Sequence, residues 1–278
     1  MKKSIMRATL PDGSSVPLTK ILGTVKNAGF EGIQLGIHGV GELSLKTTDD
    51  AATKLAKACR DEGLEPHSIY GGIRFFREDA EDRKRGMDEA KRTLELASAL
   101  GAKTILIHPG QLSTSIPYDD CWKLSIDNLK ALKEQAESTH LRLGLENVWN
   151  KFLMSPLEFK RLIEEVNSPA VGIWFDIGNV VVFGHPEQWL RILGGKAIVG
   201  IHIKDFKRGP NDAFGTYDHF APLFHGSVNW PVVMKELVKI GFDDYLVSEA
   251  SLGHQPMEDA LRELSGQLGV MIGMAKEK

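Results

Sequence analysis

Cysteine is scarce. The chain of 278 residues has two, Cys59 and Cys121, too few for a disulfide framework and without the close Cys or His spacing of a structural zinc site. Both fall in helix-like segments and read as reduced, part-buried thiols, which makes a reducing cytoplasm the expected compartment. No apolar stretch is long enough to span a membrane, and the apolar run in the opening MKKSIMRATLPDGS is too short for a signal peptide. An excess of either charge is missing too. Thirty-four Lys plus Arg against 37 Asp plus Glu give a net charge of -3, so no broad field attracts a polyanion, and neither nucleic acid nor a membrane is an expected partner. There is no low-complexity tract and no linker that would divide the chain, so residues 1–278 are expected to form a single domain. What remains, 42% hydrophobic and 26% charged residues, suits one globular domain with a large core.

Eight short apolar runs punctuate the chain: SIMRAT, GIQLGI, PHSIY, KTILIHP, LRLGLEN, VGIWFDI, AIVGIHI and DYLVSEA. Between and after them lie helix-like segments at about 17–28, 49–62, 81–100, 119–139, 155–166, 186–193, 230–240 and 256–276, each with apolar residues three and four apart. Continuous rather than alternating apolar strands imply burial on both faces, and helical crossovers imply parallel pairing. The expected fold is therefore α/β, a single (β/α)8 TIM barrel, ahead of an open doubly wound sheet. Gly29, Gly63, Gly101 and Gly241 each follow a helix-like run and suit a left-handed cap, while Pro156 and Pro231 sit just inside helix starts. The stretch 204–229, polar and rich in Gly and Pro, is too long for an ordinary connection and reads as an active-site loop.

Strands five to eight each end in a group able to bind a cation: Glu146, Asp176, His202 and Glu249. In a parallel barrel the carboxyl ends of the strands converge on one rim, where such folds place their chemistry. Each residue also has an ordinary reading. Glu146 and Glu249 could cap loops, Asp176 precedes a glycine as in many turns, and one histidine in an apolar strand is commonly a satisfied core residue. Four coincidences on neighbouring strands are harder to accept than one site. Three oxygens and one nitrogen make a hard shell, so Mn²⁺ is the expected ion, with Mg²⁺, Co²⁺ or Zn²⁺ as alternatives. Glu146 and Glu249, from strands five and eight, can approach a held hydroxyketone from opposite sides, one removing a proton beside the carbonyl and the other returning it.

These residues resemble the xylose isomerase-like TIM barrels, the sugar isomerase and epimerase superfamily that also contains endonuclease IV-type repair enzymes. The resemblance runs from GFEGIQLGI to SVNWPVVMKELVKIGFDDYLVSE and includes the ordered quartet of LENVWN, FDIGN, HIKD and VSEA. It implies that Glu146, Asp176, His202 and Glu249 hold one divalent metal ion and that Glu146 and Glu249 are the acid–base pair. Asp176 to Asn179 and His202 to Asp205 are closest to the ketose 3-epimerases and sugar-phosphate epimerases. Many free-sugar epimerases carry His where Asn179 stands.

Strand-end placement nominates His67, His108, Asn179 and Lys204 for substrate binding, and Lys204, Lys207, Arg208, Arg74 and Arg77 as handles for a phosphate. Such loop charges are usually solvated faces. Trp149 and Phe75 are candidate cavity walls or simply packing. The expected activity is aldose–ketose isomerisation or ketose 3-epimerisation of a small-molecule sugar or sugar phosphate, with a homo-oligomer left open. One alternative is an endonuclease IV-like phosphodiesterase acting on abasic DNA, for which His67, His108, Asp218 and His219 would extend the quartet. Against it, Asn179 replaces a histidine and Asp218 and His219 are adjacent rather than separated by one residue. An inosose dehydratase- or hydroxypyruvate isomerase-like enzyme would share metal and bases, and a non-catalytic sugar-binding barrel would keep the fold and metal but no turnover.

Overall fold

Each apolar run pairs in parallel with the next until the last returns to the first. β1 (Lys2–Met6), β2 (Gly32–Gly36), β3 (Glu65–Tyr70), β4 (Thr104–Ile107), β5 (Arg142–Glu146), β6 (Val171–Asp176) and β7 (Ile198–Ile203) are joined by β10 (Tyr245–Ser248) in a closed barrel. All eight pairings are parallel. The structure, a computed structural model, describes residues 1–10, 16–37, 41–71, 73, 75, 79–209 and 219–276. Arg74, Arg77 and Asp218 lie outside the described residues.

The helices follow the apolar periodicity: α1 (Leu22–Asn27), α2 (Asp49–Asp61), α3 (Ala80–Leu100), α4 (Tyr118–Ser138) and α5 (Pro156–Val166), then α7 (Pro186–Leu193), α8 (Trp230–Lys239) and α9 (Met257–Met274). Local chemistry sets their ends. The Ser155 side chain accepts a hydrogen bond from the Leu157 amide, with Pro156 beside it at the start of α5. α3 closes on Gly101 at φ 70°, a left-handed conformation that a Cβ would strain. Two elements depart from expectation. The first helix is broken into a 3-10 turn, Leu18–Lys20, and α1, and a one-turn helix, α6 (Ile177–Val180), follows β6 directly. The stretch expected as an active-site loop also contains a two-stranded antiparallel ribbon of β8 (Asp205–Lys207) and β9 (His219–Ala221).

Asp205 organises the return from that ribbon to α8. Fully buried, it accepts from the backbone amides of Phe224, Gly226 and Val228 and from the Trp230 indole at 3.1–3.3 Å. Four donors on one carboxylate fix a segment that apolar packing alone would leave loose.

Two apolar layers result from alternation along each strand. Outward residues such as Ile105, Leu143 and Phe175 pack under the helices, while Met6, Tyr70, Leu106, Trp174 and Val247 form a smaller cluster inside the barrel. Trp174, 1% exposed, is the bulk of that inner layer, and glycine makes the room for it. A methyl group at Gly200 would come within 2.4 Å of the Trp174 ring, and one at Gly172 within 2.3 Å of Val199.

Gly200→Ala should therefore lower stability by about 1–3 kcal/mol through overpacking. Gly266, exposed on α9 with nothing within 4 Å of its Cβ position, serves as control: Gly266→Ala should be neutral or raise stability by roughly 0.5–1 kcal/mol. Urea midpoints of the two variants against the wild type measure the difference, and equal midpoints would mean that the Trp174 layer yields freely.

Candidate metal centre

The carboxyl ends of β5, β6 and β7 and the residue after β10 deliver Glu146, Asp176, His202 and Glu249 to one point, with one ligand atom from each lying within 4.8 Å of all the others. His202 Nδ1 is 2.9 Å from Glu249 Oε2, 3.2 Å from Glu146 Oε1 and 3.7 Å from Asp176 Oδ2. Lys204, two residues past His202 and so on the same face, reaches Asp176 Oδ2 at 2.8 Å and Glu249 Oε2 at 3.0 Å.

Asp176 divides its two carboxylate oxygens. Its Oδ1 accepts from the Asn179 amide and caps α6, as an Asp before a helical turn does. Its Oδ2 is left for the site. That oxygen is buried and within ion-pair reach of Lys204, yet no donor meets it with hydrogen-bond geometry. Asn147, next to Glu146, holds Asp176 in place: its amide accepts from the Asp176 backbone N–H at 2.7 Å and donates to the Asp176 carbonyl at 2.8 Å. Asn179 completes this clamp, donating to the Asn147 carbonyl at 2.9 Å, while its own carbonyl accepts from the Trp149 indole.

Electrostatics follow from packing three acids and two bases in a dry place. Burial would depress His202, but Glu249, Asp176 and Glu146 together raise it well above its ordinary value, so it is an imidazolium at neutral pH. Burial also opposes a charged Lys204, and the same carboxylates hold it protonated. The two glutamates are driven apart. Burial pushes Glu146 up, whereas His202 and Lys204 overcome burial at Glu249 and keep it well below the usual carboxylate range.

A dication fits this set. Three carboxylates carry -3 and Lys204 carries +1; with His202 neutral the residual -2 equals the charge of one divalent ion. The donors, three oxygens and one nitrogen, suit Mn²⁺, Mg²⁺, Co²⁺ or Zn²⁺. The unsatisfied Asp176 Oδ2 and the inward His202 Nδ1 are the atoms such an ion would take. A cavity of about 610 Å³ opens over Lys204 and Glu249, walled by Ala8 and Thr9 after β1, Phe220 on β9, and Ser251 to Gly253 after β10.

Other nominated residues are distributed differently. His108 is half-buried just beyond β4, where its Nδ1 accepts from the Gly110 amide. Arg208 turns its guanidinium away, donating to the carbonyls of Val181 and Gly184 at 2.7 and 2.6 Å, and Asn179 is buried in the clamp just described. Lys207 is exposed on β8, and Phe75 is buried in the core. Trp149 is 43% exposed and stacks on Phe220 at 5.1 Å, with Lys204 Nζ 4.9 Å from the centre of the same Phe220 ring.

His67 is not with the quartet. β3 continues through Ile69 to Tyr70, which leaves His67 well below the rim. Its Nε2 pairs with Ser4 Oγ at 2.8 Å, its ring stacks on Tyr245, and it lines a separate cavity of about 470 Å³ with Lys2, Thr104 and Val199, at the amino-terminal end of the barrel. Burial, with help from His202 and Lys103, pushes its pKa down to about 3, so it is neutral. The residue that sequence reading passed over is Gln34. Fully buried on β2, it accepts from His202 Nε2 at 2.8 Å, and its only signal was one amide inside the apolar run GIQLG.

The model of the xylose isomerase-like TIM barrel matches residues 22–266. The chain is 24% identical over 185 residues to the uncharacterized protein MJ1311 of Methanocaldococcus jannaschii, covering 65% of this chain and 60% of that protein's length. It is 23% identical over 223 residues, 78% of each chain, to the putative L-ribulose-5-phosphate 3-epimerase SgbU of Escherichia coli strain K12. Among solved structures, that of the IOLI protein with a zinc atom superposes with a TM-score of 0.77 at 20% identity, covering 99% of this chain and 98% of that one, a likeness of fold. With the family model covering the barrel and its rim, the chain belongs to the xylose isomerase-like TIM barrel family.

Proposed function

We propose that the protein is a divalent-metal-dependent isomerase or epimerase of a sugar or sugar phosphate, in which Glu146 and Glu249 move the proton at the carbon beside the carbonyl. The observation that carries this reading is the convergence of four ligand atoms within 4.8 Å beside a cavity of about 610 Å³. The name of the ribulose-phosphate epimerase relative and the zinc in the IOLI structure support it.

Glu146, Asp176, His202 and Glu249 would hold the ion, Mn²⁺ being the first choice for so oxygen-rich a shell. The ion would polarise the carbonyl and make the neighbouring C–H more acidic. Glu146 and Glu249 come from β5 and from the end of β10, with β6 and β7 between them in the barrel, so they flank the site rather than share one side. Their environments are unequal, burial raising Glu146 while the His202 and Lys204 cations lower Glu249, so the two are not equivalent as proton carriers. Lys204, which lines the cavity and is held protonated, would donate to a substrate oxygen as negative charge develops there. Asp176 has no spare part in the proton transfer, since its oxygens are given to α6 and to the centre.

The nuclease reading has less support. Among the described residues a single four-residue ligand group forms, and His67, which a three-ion cluster would require, points into the opposite end of the barrel. The balanced net charge of -3 offers no gripping surface for DNA.

Three outcomes are expected. Glu146→Gln and Glu249→Gln should keep the fold by circular dichroism and slow exchange of the substrate carbon-bound proton with deuterated water by about 10²–10⁴-fold, read by proton NMR over pentoses, hexoses and their phosphates. Normal exchange in both variants would end the two-base reading, and cleavage of an abasic duplex would revive the nuclease. Chelator-stripped protein should lose turnover and regain it with Mn²⁺, and an ion at 100 times its Kd should stabilise the fold by about 2.7 kcal/mol, seen as a rise in Tm. Loading must expel the proton of His202, whose raised pKa keeps it charged at pH 7. Metal affinity by calorimetry should therefore increase as pH rises through neutrality, by about tenfold per unit while one proton is released; a flat profile would contradict the charged state assigned to His202.

A further inference from the structure

We propose that Gln34 is a positioning residue that fixes the ring state in which His202 offers Nδ1 to a divalent ion, and that it thereby sets the metal affinity of the centre. The inference rests on the metal-dependent reading above. Alternation along β2 points Gly32, Gln34 and Gly36 into the barrel, so Gln34 is the one inward residue of that strand with a side chain long enough to cross it. It does cross. In the closed order of strands β2 and β7 are separated by β1 and β10, yet Gln34 Oε1 lies 2.8 Å from His202 Nε2.

An amide oxygen only accepts, so Nε2 must carry a proton. A neutral imidazole protonated there has its lone pair at Nδ1, the atom that faces Glu249, Glu146 and Asp176. Turning the amide over would present N–H groups to Nε2, move the ring proton to Nδ1 and aim it at the carboxylates. The ion would then have no nitrogen to bind. Ring rotation is hindered as well, because Trp174 packs against His202 with centroids 5.1 Å apart at 67°.

Nothing else explains a glutamine at this place. Its Nε2 has no hydrogen-bond partner among the described residues, nor has the Oγ of Ser68, its register partner on β3. Were Gln34 there for packing, an apolar side chain of the same length would serve without stranding a buried donor. Among the described residues, the hydrogen bond that its side chain makes is the one to His202. Second partners of this kind on metal-binding histidines set ring orientation and basicity.

The test compares wild type with Gln34→Met, close in shape but without the amide oxygen, and Gln34→Glu, which keeps an oxygen acceptor. Calorimetric titration of the stripped full chain with Zn²⁺ and Mn²⁺ should show Gln34→Met binding about 10- to 100-fold more weakly, the range for loss of such a partner, with Gln34→Glu close to wild type. Long-range ¹⁵N NMR of the zinc-loaded wild type should place the His202 proton on Nε2 and the ion on Nδ1, a readout that needs no variant to fold. A folded Gln34→Met with wild-type affinity, or a wild-type His202 that binds zinc through Nε2, overturns the proposal. A wild type that takes up neither ion overturns the metal reading itself, and so separates that failure from this one.

Discussion

Three carboxylates that must share one point at the mouth of a barrel are the constraint on which the rest of the site depends. At about 4 Å and an effective dielectric near 20, each like-charged pair costs on the order of 4 kcal/mol. Glu146, Asp176 and Glu249 tolerate one another because the His202 and Lys204 cations stand between them. Those two bases keep only part of the balance: with His202 neutral, a dication would restore neutrality. Charge, more than any one distance, is what fits the cluster to a divalent ion.

The barrel beneath the site supplies rigidity that loops could not. Trp174 fills the lumen where glycine on neighbouring strands makes room, and its ring supports His202 from below. Gln34 reaches His202 from across the lumen. Laterally, Asn147 and Asn179 lock the first turn after β6 to the end of β5, so the backbone that carries Asp176 is held by hydrogen bonds on both sides. Above, Asp205 gathers the segment leading into α8, and Arg208 ties the start of the same connection to the carbonyls after α6. The described parts of the long connection expected as an active-site loop include a short ribbon and two polar anchors, and Phe220 on that ribbon both walls the cavity and lies against Lys204.

Reading strand ends from sequence succeeded where the end of an apolar run coincides with the end of a strand. Glu146 and Asp176 are the last residues of β5 and β6, and Glu249 follows β10 directly. His67 shows the failure: the run PHSIY continues past it, so the histidine that looked terminal is well down the strand and serves the opposite end. Arg208 and Asn179 are engaged by the backbone for another reason. Loop cations and amides find backbone carbonyls nearby, and no pattern in the sequence reveals which carbonyl will be within reach. Gln34 escaped because a lone amide in an apolar run carries no sign of a partner 168 positions away.

By itself the sequence determined the alternation of buried strands and amphipathic helices, the parallel barrel this implies, and the four residues at neighbouring strand ends, because these follow from local periodicity and from a topology that brings carboxyl ends together. Tertiary structure alone decided which nitrogen of His202 faces the acids, that Lys204 joins them, that His67 does not, and that Asp176 divides its two oxygens between a helix cap and the centre. Those outcomes depend on side chains meeting across the lumen and on competition among donors for buried acceptors, neither of which is written in the order of residues along one strand.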